Sequence, residues 1–92
     1  MNIGIHAVQA RKSGASQSDA LRVSEQIRDA FGPGAGSFTY SVLKCDVTKS
    51  ASQDTFTFAA EVLLPLSNPH AAINSAGQDI NAFVKSSGWT IV

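Results

Sequence analysis

The chain has 92 residues, which suffice for one domain and are too few for two, so residues 1–92 are read as a single domain. Hydrophobic residues make up 43% of it and charged residues only 15%, against roughly 25% in a typical soluble domain. Seven basic and seven acidic residues cancel. That balance argues against generic nucleic-acid binding, which needs a basic excess, and against an acidic surface that mimics DNA. Cys45 is the only cysteine, which excludes an internal disulfide and a multi-cysteine metal site and fits a reducing, cytoplasmic setting. The first residues lack the basic start and apolar run of a signal peptide, and no stretch approaches the ~20 apolar residues of a membrane span.

Residues 2–9 predict a strand, with Ile3, Ile5 and Ala7 alternating against Asn2, Gly4 and His6. Residues 10–16 are small and polar and predict a loop. A helix follows from about Gln17 to Phe31, capped by Ser16 or Ser18, with Ala20, Val23, Ile27, Ala30 and Phe31 on one stripe. Gly32-Pro33-Gly34 stops it. Residues 37–48 predict a strand whose alternation changes phase. Phe38, Tyr40 and Val42 share one face, Leu43, Cys45 and Val47 the other, and a bulge near Val42-Leu43 reconciles them.

Residues 55–66 give the clearest strand, with Phe56, Phe58, Ala60, Val62, Leu64 and Leu66 in phase. The second helix starts with Asn68 as cap and Pro69 at its first position, buries Ile73, Ala76, Ile80, Phe83 and Val84, and ends at Gly88. Trp89 to Val92 form a short last strand. The order βαββαβ with right-handed crossovers predicts an α+β, ferredoxin-like sandwich. Its four-stranded antiparallel sheet has the first and third strands central and both helices on one face. The open face is then expected to show Gly4, His6, Thr55, Thr57, Ala59 and Glu61, and the core to hold Ile27, Phe31, Phe58, Val62, Ile73, Ile80 and Phe83.

No constellation in the sequence points to catalysis. His6 and His70 have no partner at metal-ligand spacing. Cys45 has no Cys-x-x-Cys partner and reads as a small buried residue. Asp46, Asp54, Glu61 and Asp79 are scattered, and neither a Gly-x-Ser-x-Gly elbow nor a phosphate-binding glycine loop occurs. No catalytic residue, metal or cofactor is therefore expected.

Val8-Gln9-Ala10-Arg11 resembles the opening of the acylphosphatase phosphate loop, which would imply a small acylphosphatase-like enzyme. However, Ala10 stands where that family has glycine and Arg11 comes too early. What survives is a local anion-attracting loop of Arg11, Lys12 and Ser13 before a helix. These cations have no acidic neighbour within six residues, which makes the loop the first candidate partner-binding surface. The open sheet face, through His6, Thr55 and Thr57, is the second. Apart from His6, that face lacks the stacking platform of RNA-binding sheets.

Size, neutral charge, absent catalytic motifs and element order are together similar to small phage-encoded inhibitors, specifically anti-CRISPR proteins that block the type I-F surveillance complex. The resemblance covers the whole chain. It implies a non-enzymatic, stoichiometric inhibitor in the host bacterial cytoplasm that docks on a larger protein or nucleoprotein complex, Cas proteins with guide RNA, and excludes target DNA. The alternative is a ferredoxin-like dimerisation or ligand-binding domain.

Overall fold

The computed structural model describes residues 2–34, 39–52 and 54–92. Its elements are β1 (Asn2–Arg11), α1 (Gln17–Phe31), β2 (Ser41–Lys49), β3 (Thr55–Leu64), α2 (Pro69–Ser86) and β4 (Thr90–Ile91). The strands form one antiparallel sheet in the order β2-β3-β1-β4, so the first and third strands are central, as expected. Phe38 and the proposed start of the second strand lie outside the described residues.

Local chemistry explains most of the boundaries. Ser16 caps α1 through a capping box: its hydroxyl accepts the Asp19 N–H, and the Asp19 carboxylate accepts the Ser16 N–H at 2.9 Å. Asn68 precedes α2 but its side chain does not cap. It adopts the left-handed conformation (φ 55°), which Asn tolerates, and its carbonyl accepts the Ala72 N–H. Gly88, at φ 92°, supplies the left-handed residue that ends α2 and lets the Trp89 N–H turn back to the Val84 carbonyl. The expected bulge is present as a register shift between Val42 and Lys44, and it returns Cys45 and Val47 to the side that Val42 occupies.

Both helices cover the sheet face that carries Val8, Ala10, Val42, Phe56, Phe58, Ala60 and Val62, all buried. Trp89 closes one end of this core, with edge-on contacts to Phe56 and Phe58 at centroid distances of 5.8 and 5.4 Å. Ile27, Phe58, Val62 and Ile80 are buried as expected; Phe31, Ile73 and Phe83 are only half-buried and pack at its margin. Tyr40 is buried near Phe31 and donates its hydroxyl proton to Asp79 at 2.5 Å. Burial, and secondarily the Asp79 carboxylate, push its ionisation far above the usual phenol range.

The first strand departs from expectation in phase. Val8 and Ala10 are buried, while Ile3 and Ile5 are 54% and 62% exposed. Gly4 and His6 therefore lie under α2, and the isoleucines lie on the open face. Space decides this. A Cβ at Gly4 would already sit 3.0 Å from Leu64 and 3.1 Å from Ile73, so no bulky side chain fits there.

Two outcomes follow. Phe58→Ala removes the ring on which Trp89 rests and should destabilise by about 3–5 kcal/mol in chemical denaturation. The Asp19 carboxyl is held below its ordinary value of 3.8, first by the Ser16 N–H and then by the Ser16 hydroxyl. A lowered native value stabilises above 3.8 and is lost as pH falls through it. Asp19→Asn should thus lower the melting temperature at pH 7, and the difference from wild type should vanish well below 3.8.

Candidate binding surface

The residues of the basic loop separate. Arg11 is the last residue of β1 rather than a loop residue; it pairs with Thr55 and Thr90, and its exposed side chain belongs to the open face. Lys12 leaves the sheet on the other side. Its backbone N–H donates to the Asp54 carbonyl at 3.1 Å, and its ammonium reaches the Ser87 carbonyl at 3.5 Å, just past the C-terminus of α2. A cation there meets the negative end of the helix. Lys12 is accordingly tied to the protein's own backbone, and the Arg11–Lys12 pair is not one free cluster. Ser13 is exposed in the turn that Gly14 completes at φ 76°.

The open-face candidates also divide. Thr57 is half-buried, between Gln9 and Thr48. Thr55 is buried at the end of β3, with 4% exposure, so it offers little to a partner. His6 is not on this face at all. It lies against α2 with Nε2 2.9 Å from Asn81 Oδ1. Gly77 is what admits the ring: a Cβ there would approach His6 Cε1 and Nδ1 to 2.9 Å. The placement of His6 and Gly4 on the open face is therefore corrected, because the alternation of the first strand fits two phases and only the close approach of α2 selects one.

The face that remains has a clear layout. Ile3, Ile5 and Ala7 of β1 form an apolar strip at one end, opposite Leu63, Glu61 and Ala59 of β3, of which only Glu61 is charged. Beside it on β2, Lys44 pairs with Asp46 at 3.3 Å and with Glu61 of β3 at 3.8 Å, so one cation is shared by two carboxylates and the group keeps one net negative charge. Arg11 stands at the opposite end and has no ion pair among the described residues. The alternation of β1 alone does not reveal the strip, because placing Gly4 and His6 on the open face turns Ile3 and Ile5 away from it. The signal that could have found it is the competing phase, Val8 with Ala10.

Among the described residues, no three of His, Cys, Asp and Glu converge on one point, and no helix is long and apolar enough to cross a membrane. Burial, then Asp46, push the Cys45 thiol up to about 11, so it stays protonated at neutral pH. A shallow concavity of about 440 Å³ near Thr39, Pro65, Asn68 and Ser75 holds no ionisable side chain. No family model, no curated protein and no solved structure matches the chain.

The His6–Gly77 contact gives a sharp test. Gly→Ala inside a helix ordinarily stabilises by about 1 kcal/mol. Gly77→Ala should instead destabilise by about 1–2 kcal/mol in urea unfolding, because the methyl drives into the imidazole. In a His6→Ala background the same change should recover the ordinary gain, a departure from additivity of about 2–3 kcal/mol between the two positions.

Proposed function

We propose that this chain is a non-enzymatic binding protein that acts by occupancy, and that it meets its partner with the open face of its sheet. The observation that carries this reading is the exposure of Ile3 and Ile5 side by side on β1, beside Leu63. Contiguous large apolar side chains on one flat face are a common mark of an interaction surface. The Lys44–Asp46–Glu61 group, one cation between two carboxylates, and Arg11 form a polar rim around the strip, as interfaces generally have. The strand order β2-β3-β1-β4 supports a ferredoxin-like assignment of the fold.

The partner to try first is the one that the resemblance implies, a CRISPR-Cas surveillance complex of Cas proteins with guide RNA. Only chain size and element order support that choice. A stoichiometric inhibitor stops target-DNA binding at about one to a few chains per complex and still does so in chelator. Silencing of a large excess of complex by trace protein would mean an enzyme. No effect on DNA binding at saturating protein removes this partner and leaves the occupancy reading to be tested on proteins captured from lysate.

On any captured partner, Ile5→Asp should weaken binding by about tenfold or more while leaving the melting temperature nearly unchanged, since the side chain is already in water. Arg11→Glu should weaken binding more at low salt than at high salt. Lys12→Glu should act mainly on stability. Binding that ignores both Ile5→Asp and Arg11→Glu rejects the open face.

A further inference from the structure

Strand β1 has a second feature, separate from its open face. On one side it pairs with β3 along its whole length, from Asn2 to Arg11. On the other side β4 covers only Ala10 and Arg11, and the Val92 N–H adds a bond to the Gln9 carbonyl at 2.9 Å. Because the Gln9 carbonyl points toward β4, the N–H and C=O groups of Ile3, Ile5 and Ala7 point the same way. Among the described residues, none of these groups has a hydrogen-bond partner. Seven residues of strand, roughly 23 Å, thus present an open ladder.

The two edges of the sheet are treated differently. The β2 edge carries Lys44, Asp46 and Lys49 and is broken by the bulge at Val42/Lys44. Such devices keep another strand from adding. From Asn2 to Ala10, β1 has no charged residue, no proline and no bulge.

Above this edge runs α2. Ile73 approaches Gly4, Gly77 approaches His6, and Asn81 bonds His6, so one side of the helix follows the strand. Between them lies a groove of about 280 Å³ lined by His6, Ile73, Asn74, Gly77, Gln78 and Asn81. No Asp, Glu, Lys or Arg lines it.

We propose that this edge and groove form a binding site for an extended, uncharged peptide segment of a partner protein, which adds to β1 as an antiparallel strand in line with β4. Only an extended backbone offers donors and acceptors at the spacing that Ile3, Ile5 and Ala7 present. A second copy of this domain does not fit. Its own β1 would lie ~4.8 Å away and carry its helix almost onto α2, whereas packed helices stay 8–10 Å apart, a limit of about 8 Å. A lone strand has no such layer. Its alternate side chains would fall beside Ile3 and Ile5, favouring Val, Ile or Leu, and into the groove, favouring Ser, Thr or Asn.

The probe is a capped hexapeptide of alternating Val and Thr, titrated to about 1 mM against the whole chain while amide hydrogen exchange is followed. The site predicts slowing of about tenfold or more at the amides of Ile3, Ile5 and Ala7. In the antiparallel ladder the Val N–H groups face β1. N-methylation of the Val residues should therefore abolish the effect, and N-methylation of the Thr residues should leave it. Ile5→Pro, which removes an N–H that points away from β3 together with the exposed side chain, should also abolish it with the fold retained by circular dichroism, whereas Ile5→Asp should not. No slowing at these three amides overturns the proposal, as does equal protection by both N-methylated peptides. The outcome is independent of the open-face reading, because Ile5→Asp keeps every backbone group of this edge and Arg11 lies beyond it.

Discussion

The close approach of α2 to β1 determines more of this molecule than any other contact. Ile73, Gly77 and Asn81 follow one another at helical spacing along the strand, and each meets something small or flat: Gly4, or the His6 ring. Two glycines, one on each element, make the approach feasible. Each sacrifices local stability, since glycine weakens both helix and strand interiors. In return, the helix comes near enough for the polar His6–Asn81 bond to form beneath it. A methyl group at either glycine would meet heavy atoms at or near 3 Å.

That contact also sets which side of β1 faces water. The strand carries apolar residues in both phases, Ile3 with Ile5 in one and Val8 with Ala10 in the other. Counting hydrophobic residues favours burying the isoleucines, because they hold the larger apolar area. Packing reverses the choice: the space under α2 near Gly4 is already filled by Leu64 and Ile73. Once Ile3 and Ile5 are turned outward, the open face acquires an apolar strip that the residues Thr55, Thr57, Ala59 and Glu61 alone would not give it.

What was legible in the sequence follows from the same distinction. The span of α1, the bulge in β2, the phase of β3 and the stop of α2 at Gly88 are set by neighbours in sequence, and they were readable there. Contacts between distant elements were not. Asn68 looks like a cap by residue type, yet its left-handed backbone turns the side chain away from that task. Arg11 and Lys12 look like one basic cluster, yet successive residues of a strand end point to opposite faces. One therefore joins the open face and the other reaches the end of α2, 75 residues away. For Arg11 and Lys12, closeness in sequence does not mean closeness of the charged ends in space.

Weak net electrostatics sharpen the importance of these geometric features. With no overall charge, the chain has little long-range field to steer a partner or to repel a neighbour. Specificity then has to arise at short range, from shape, apolar contact and backbone hydrogen bonding. The sheet separates these roles spatially: β2 and Glu61 of β3 hold the paired charges, β2 holds the bulge, and β1 holds the exposed isoleucines and the unpaired ladder. An unguarded apolar edge is a hazard for indiscriminate strand addition. Here α2 runs over that edge at Gly4 and His6, so the proposed site would take a single strand more readily than a second sheet with a helix on the same face. The helix would thereby limit the hazard and give the edge its selectivity, and both would depend on the same two glycines that bring it down onto the strand.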